Sequence, residues 1–575
     1  MPMPSPNLVG VLSGTLLATI ILTPILSLLV LRRYRRAVRR SMHLTAPGGQ
    51  QPAIQSQWQA PIPTQWQSPT ETQWREVQGY AYPRPGGPSA PVVAVPAGHP
   101  SRASDDDSGG WMVVWKRLRS LCYVYVAAGV AYGLVAAIVW LQAGQMEFGA
   151  RRLAIVAVLN AWPVVPTVLA VLAAGRRTMA LVWGSYVLLI FLLSVRSGIE
   201  RNAILTLIML MVVTPAVLLL ALSGRNLRAV GPFLAVPVFI AAAGLSIWAW
   251  LALPLVRAGA TVPVAALAVT VAVLVVALSG LAYLWWSARS YARKQASDQM
   301  LLVSQWWFIV AGWESIFLLT AGPVWAMAFW LAYLAFRLVI AIGLRLRKQT
   351  VGSPPLRVLL LRVFGAQRRS EGLLRRLGAS CRHLGPVQMI AGPDLVTAAL
   401  EPHEFLDSLR RRLSRQFVGG ADDLQQRLAQ LDLQPDPDGR YRVNELFCHD
   451  DTWRPTVQAL VHRSDCILLD LRGFTVARQG ATYEIGQLVE LVPLRRVLVL
   501  TDNSTDHNFL RTVLDTAWRS SGPESPNWTD GGALRLLQVA PGADVDAEAV
   551  VDLLSASRPE ATPVLPSNQG AFRTK

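Results

Sequence analysis

Long uninterrupted apolar runs are the feature that most constrains this 575-residue chain. A helix of about 20 apolar residues spans the roughly 30 Å hydrocarbon core of a bilayer. Apolar residues make up 52% of the chain and charged residues only 16%, so we expect an integral α-helical membrane protein. Nine apolar runs are candidate spans, at 8–31, 121–143, 153–174, 179–195, 203–222, 230–252, 262–286, 303–320 and 324–344.

The charges between these runs predict an orientation. Six arginines lie between Arg32 and Arg40, and the flanks assigned to the cytoplasm carry 19 Lys or Arg, against five on the outer flanks. Positive flanks remain in the cytoplasm. We therefore expect a multi-pass plasma-membrane protein that contacts the lipid bilayer, with its N-terminus outside and its C-terminal part cytoplasmic. Asn160, Pro163 and Pro166 predict a kink in the third span.

The net charge of +18 belongs to the membrane part of the chain. Residues 1–352 hold 28 Lys or Arg and 9 Asp or Glu, whereas residues 353–575 hold 26 and 27. A nucleic-acid-binding domain carries a basic patch on a folded surface. No such excess marks the C-terminal part, so we expect no nucleic-acid partner.

Composition divides the chain into five regions. Residues 1–43 form a transmembrane anchor with the arginine cluster, and 111–350 form an eight-span bundle. Residues 44–110 are rich in Pro, Gln and Trp and predict a disordered linker. Residues 353–560 predict a cytoplasmic α/β domain, and 561–575 a disordered tail.

Two ionisable residues stand out inside the bundle. Glu314 and Arg337 lie on the last two runs, which a short turn joins. Intramembrane charges usually pair with each other or mark a transport pathway. We treat the two residues as a candidate structural pair. Snorkelling of Arg337 towards the membrane surface and a transport role are the alternatives.

Short apolar segments alternate with helical segments after residue 355. Apolar runs at 356–364, 385–391, 465–471, 495–501 and 533–540 read as buried strands, and the segments between them as helices. The long polar stretch 402–433 reads as helical. This order predicts a five-stranded parallel, doubly wound sheet, and it resembles the order found in TIR and flavodoxin-like domains.

Ligands of such sheets bind beyond the carboxyl ends of the strands. The predicted edge collects Arg362 and Phe364 from the first strand, and Asp470, Arg472 and Phe474 from the third. The helix at 480–491 should place Glu484 in its first turn, pointing towards the same edge. The arginines could bind phosphate, and the phenylalanines could stack on a base.

Common catalytic motifs are missing from this domain. There is no GxxxxGK[ST] or HExxH motif and no GxGxxG after the first strand, and "CHDD" at 448–451 is a poor metal cluster. We expect no metal and no cofactor. What remains is one carboxylate at a helix start ringed by arginines and aromatics, Glu484, and the positive end of the helix favours its ionised form. It could act as a nucleophile, or stabilise an oxocarbenium ion during glycosidic cleavage.

The segment "SDCILLDLRGFT…GATYEIGQLVEL" resembles the core of nucleoside 2-deoxyribosyltransferases, and the strand order resembles TIR domains. Both families use a glutamate at this helix to cleave an N-glycosidic bond. The resemblance implies Glu484 as catalyst, Gly480 and Gly486 as motif glycines, and Asp470 as a ribose or base contact. It implies NAD as substrate and a homo-oligomer. Arg478 and Gln479 stand where the family has an aspartate.

Three functions remain open at this point. The first is a membrane-tethered hydrolase of NAD or a related nucleotide. The second is a non-enzymatic signalling receptor whose α/β domain binds a nucleotide or a partner. The third is a transporter with a regulatory domain, against which the few charges inside the bundle argue.

Overall fold

A computed structural model describes most of the bundle and most of the α/β domain. The described residues are 6–42, 92–95, 110–172, 174, 176–196, 231–257, 262–347, 355–363, 373, 377, 378, 380–391, 417–449, 451–530, 533–540 and 545–557.

The helices of the bundle follow the apolar runs. Five of them are long and apolar enough to cross a membrane, or six if one bent pair counts as a single span, within the described residues. The predicted run 203–222 lies outside those residues. The helices are α1 (Pro6–Met42), α2 (Gly110–Ala143), α3 (Ala150–Asn160), α4 (Val164–Val171), α5 (Arg176–Arg196), α6 (Gly231–Arg257), α7 (Val262–Ala292), α8 (Asp298–Leu318), α9 (Pro323–Ala328) and α10 (Trp330–Arg347).

The predicted kink in the third span is confirmed. Helices α3 and α4 are bent by 44° at a short break, where the Pro163 ring offers no backbone donor. The Asn160 side chain donates to the carbonyl of Val156 at 2.8 Å. Helix α2 packs closely on α3 and α4. A side chain at Gly133 would collide with the backbone of Ala157 in α3, and one at Gly129 would collide with Val164 in α4.

The C-terminal region forms a parallel sheet of seven strands, so the prediction of five was wrong in number. The five predicted strands are all present, and two more lie beyond β3. The strands are β2 (Val358–Arg362), β3 (Val387–Ala391), β4 (Phe417–Val418), β5 (Val443–Cys448), β6 (Cys466–Asp470), β7 (Val497–Thr501) and β8 (Leu534–Gln538).

An eighth strand comes from the segment predicted to be a disordered linker. Residues Val92–Val95 form β1, which pairs in parallel with β8. The full order is β1-β8-β7-β6-β2-β3-β5-β4. The "VVAV" segment is the β-branched exception in a polar region, and pairing with an open sheet edge satisfies its backbone groups.

Helices cover both faces of the sheet. One face packs on α11 (Ala421–Ala429), α12 (Trp453–Arg463), α13 (Gln479–Leu491) and α14 (His507–Ser520). The other face packs on α16 (Ala547–Ala556) and on the start of α2, through Val114 and Leu118. A short helix, α15 (Asn527–Asp530), precedes β8. A helix of the bundle therefore completes the core of the α/β domain.

Candidate functional site

The strand order places a switch point between β2 and β6. The five predicted strands lie in the order 2-1-3-4-5, and β2 pairs with β6 so that Arg362 is opposite Asp470. Ligands of doubly wound sheets bind outside the carboxyl ends of the strands at such a point. The structure therefore brings Arg362 and Asp470 together where the sequence predicted a binding edge.

Asp470 is occupied by an internal ion pair. The Arg472 guanidinium donates from Nε and Nη2 to its two carboxylate oxygens at 2.7 and 2.8 Å. Both side chains are buried, at 3% and 8% exposure. The chain reverses at Gly473, whose φ of 79° favours glycine. Both carboxylate oxygens of Asp470 are therefore engaged within the chain.

Glu484 lies at this edge but does not point into solvent. It is the sixth residue of α13 and not part of the first turn, and it faces the sheet with 2% exposure. Its Oε2 has no hydrogen-bond partner in the described structure. A cavity of about 10 Å³ beside α13 has an apolar lining that includes Ile485 and Leu488 but not Glu484.

Burial changes the expected charge of Glu484. Loss of hydration raises the pKa of this carboxyl to about 8, although the positive charge of Arg362 acts in the opposite direction. The prediction that Glu484 lies in the first turn of this helix, where the dipole would favour its ionised form, was wrong in position. The dipole acts mainly within the first turn, and Glu484 lies beyond that turn in a buried position.

Phe474 does not present its ring to a ligand. It is completely buried and stacks on Phe509, with ring centroids 5.3 Å apart and 26° between the planes. The predicted base-stacking role is wrong for this residue. Phe364 lies outside the described residues.

Neither of the two predicted motif glycines has to be glycine for lack of space. A Cβ at Gly480 would meet Trp453 at 4.0 Å, and a Cβ at Gly486 would meet nothing within 4 Å. Gly480 is in the first turn of α13, close to the switch point.

An aromatic pair beside the switch point was not predicted. Trp453 and Tyr483, which are near the starts of α12 and α13, meet edge to face at 5.3 Å. Arg454 lies over both rings, at 5.5 and 5.2 Å. The sequence signal was the "TWR" at the helix start, which reads equally well as a helix boundary. No group of three His, Cys, Asp or Glu among the described residues is arranged to hold a metal ion.

The bundle contacts the amino ends of the strands through buried arginines of the α/β domain. Arg382, which precedes β3, donates twice to Asp298 at 3.0 Å. Arg440, which precedes β5, donates to Gln299 at 2.7 Å and lies 3.4 Å from Asp298. Asp298 and Gln299 open α8, so this helix of the bundle is joined to two loops of the domain.

Neighbouring groups extend this contact. Arg442 pairs with Asp436 at 2.9 Å, donates to the carbonyl of Tyr291 at 2.6 Å and lies over the Tyr291 ring. Arg347, at the end of α10, donates to the carbonyls of Asp438 and Arg117. We call these residues the coupling network, made up of Arg347, Asp298, Gln299, Arg382, Asp436, Asp438, Arg440 and Arg442.

His383 lies within the coupling network in its neutral form. The side chain is 1% exposed. Burial lowers the pKa of this imidazole well below its usual value, and the charges of Arg440, Arg347, Arg382 and Arg117 lower it further. A charged imidazole would add to four nearby guanidinium groups, so His383 contributes packing and no positive charge.

The predicted intramembrane pair does not form. No ion pair joins Glu314 and Arg337, and the Arg337 guanidinium instead lies over the Trp286 ring at 5.5 Å. Glu314 is 4% exposed, and its Oε2 has no hydrogen-bond partner in the described structure. The two side chains therefore have separate surroundings.

The chain has no match among known families. No protein-family model matches it, and neither the curated proteins nor the solved structures give a match. The geometry of the sheet and of its contact with the bundle is therefore the basis of the functional proposal.

Proposed function

We propose that the chain is a plasma-membrane sensor, in which the state of the bundle sets the state of a nucleotide-binding site on a cytoplasmic α/β domain. The observation that carries this proposal is the coupling network. Arg382 and Arg440 are buried and pair with the partly exposed Asp298, and separating them would leave an uncompensated buried charge, so the contact holds a fixed geometry. A flexible tether would need no such contact.

The coupling network lies at the amino ends of the strands, and the switch point lies at the carboxyl ends of strands in the same sheet. Arg382 and Arg440 precede β3 and β5, whereas Arg362 and Asp470 end β2 and β6. The strands between the two edges are five residues long, which is about 17 Å at the usual rise per residue. A displacement of α8 would act on the loops that precede β3 and β5, and these strands belong to the sheet that carries the site.

A nucleotide is the ligand class that best fits the switch point. The buried Arg362 supplies a guanidinium that matches phosphate oxygens, and Tyr483 and Trp453 supply aromatic surface nearby. NAD is the probe, because the resemblance of the strand order to TIR domains implies NAD as the substrate.

The test uses the full-length protein in lipid nanodiscs. We expect NAD to raise the midpoint of thermal unfolding, and Arg362→Ala to remove that shift. Asp298→Asn should change the apparent NAD affinity several-fold, whereas Arg511→Ala should leave it as in the wild type, since Arg511 makes an exposed pair with Asp515. Unchanged affinity in Asp298→Asn would disprove coupling, and absence of any NAD shift would disprove the ligand.

A second candidate function is cleavage of the N-glycosidic bond, favoured by the buried Glu484 carboxyl at the switch point, whose Oε2 has no hydrogen-bond partner in the described structure. With a pKa of about 8, Glu484 must ionise before it can stabilise an oxocarbenium ion. The positive nicotinamide ring of bound NAD, like Arg362, would favour that ionised form.

The corresponding assay measures nicotinamide release. We expect the rate to rise with pH up to about pH 8, and Glu484→Gln to abolish it. Glu490→Gln is the matched control, because Glu490 lies on the same helix and accepts from the Gly522 amide at 3.2 Å, away from the switch point. Release that persists in Glu484→Gln would exclude this mechanism and leave the sensor proposal intact.

A further inference from the structure

Glu314 is a buried carboxyl deep in the bundle. It lies 16 residues after Asp298 on α8, about 24 Å along the helix at 1.5 Å per residue, within the thickness of a bilayer core. Its side chain is 4% exposed, and Oε2 has no hydrogen-bond partner in the described structure. An ionisable residue inside a membrane has a high energetic cost, and such residues usually mark a functional site.

Aromatic donors surround this carboxyl. The indoles of Trp140 and Trp162 are its side-chain hydrogen-bonding neighbours, and the Tyr132 phenol is the titratable group that faces it. No described Lys, Arg, His, Asp or other Glu acts on it. The Trp162 ring in turn contacts Trp183 and Trp306, at 5.3 and 5.6 Å.

Trp162 also marks the break between α3 and α4. It is one of three residues that separate the two helices, where the span bends by 44°. Discontinuous membrane helices form the ion sites of many membrane proteins, because their ends supply unpaired backbone groups. A buried carboxyl and a broken span therefore meet at one place, through a single indole.

The surrounding groups select the ligand. Indole N–H groups donate hydrogen bonds and accept none, so Trp140 and Trp162 cannot ligate a metal ion. A Ca²⁺ or Mg²⁺ ion needs about six oxygen ligands, and no group of three potential metal ligands occurs among the described residues. A proton needs only one carboxyl oxygen.

We infer that Glu314 is a reversible proton-binding site of the bundle. Protonation adds an O–H donor at the carboxyl and removes its charge. The hydrogen bonding and the electrostatic environment of Trp162, and of the helix break beside it, change as a result. Helix α8 carries Glu314 at one end and Asp298 at the other. The step from proton to α/β domain rests on the proposed sensor function, whereas the proton site itself does not.

The test is infrared difference spectroscopy of the full-length protein in nanodiscs during a pH titration. Glu484→Gln is used as the background, because Glu484 is the other glutamate that is less than 5% exposed among the described residues. We expect a carboxylic-acid C=O band that titrates reversibly and is lost in Glu314→Gln. Glu147→Gln is the matched control, since Glu147 is exposed between α2 and α3, and it should leave the band unchanged.

Trp162→Phe provides a second variant if Glu314→Gln does not fold. Loss of the indole donor should shift the titration midpoint of the band. A band that is absent, that does not titrate, or that survives in Glu314→Gln overturns the proton site, and so does an unshifted midpoint in Trp162→Phe.

Hydrogen exchange at 436–442 tests the coupling separately. A titrating band without a change in exchange supports the proton site and contradicts the sensor proposal.

Discussion

Arg472 folds back onto Asp470, two residues earlier in the chain, and fills both oxygens of its carboxylate at 2.7 and 2.8 Å. The pair closes the end of β6 at the switch point. Asp470 had been a candidate contact for a ribose or base, but both of its oxygens already accept from Arg472. A ligand there would meet the guanidinium of Arg472 first, which favours a phosphate over a hydroxyl group.

Arg472→Ala should destabilise the protein by about 3–5 kcal/mol, because it leaves Asp470 charged and buried. The double variant Arg472→Leu with Asp470→Leu should recover much of the loss, since no charge remains unpaired. Thermal unfolding of the full-length protein in detergent measures both. A single variant as stable as the wild type would contradict the buried pair.

Glu484→Gln should stabilise the protein at and above neutral pH. The folded-state pKa of about 8 exceeds the usual value of 4.5. The unfolded chain therefore ionises first as the pH rises, and the wild type loses stability between these two values. The variant should match the wild type below pH 4.5 and gain about 1–3 kcal/mol above pH 8.

Denaturant unfolding at a series of pH values checks this expectation. Glu490→Gln serves again as the control, and its difference from the wild type should vary little across the same range. A stability difference for Glu484→Gln that does not grow with pH would show that the carboxyl is hydrated in the folded state.

The pattern of apolar segments was enough to predict the centre of the sheet. All five predicted strands occur within about two residues of their expected bounds, because fully buried strands such as "VLLLR" leave an unmistakable apolar run. Strand β5, "VNELFC", was missed since its first half is only half-buried and carries polar residues. Strand β1 was missed because a sheet edge orders four residues of a segment whose overall composition is polar.

The site was harder to predict than the fold. Position along a strand placed Arg362 and Asp470 at the switch point correctly. The directions of Glu484 and Phe474 depend on which face of α13 and of the following turn packs against the sheet, and here both side chains turned inward. The coupling network was not foreseen, because its members come from separate loops and from α8 and α10, and no local spacing signals such a contact.

Asp298→Asn should loosen the contact between bundle and domain. Arg382 and Arg440 would each lose a charged acceptor while remaining buried, at 6% and 2% exposure, and we expect a loss of about 2–4 kcal/mol. Faster hydrogen exchange in the loops at 380–386 and 436–442 is the expected signature. Arg511→Ala, which removes an exposed pair, should cost less than about 0.5 kcal/mol and leave that exchange unaltered.

Gly133→Val should separate α2 from α3. An added Cβ would lie 2.4 Å from the backbone oxygen of Ala157, and a backbone atom cannot move aside as a side chain can. Overpacking of this kind typically costs about 1–3 kcal/mol or more. Gly184→Ala is the control, because nothing lies within 4 Å of that position. Thermal stability in detergent should fall for Gly133→Val and remain unchanged for Gly184→Ala. Since Trp162 lies just beyond α3, Gly133→Val should also disturb the infrared band of Glu314, and an undisturbed band would mean that the broken span and the carboxyl act independently.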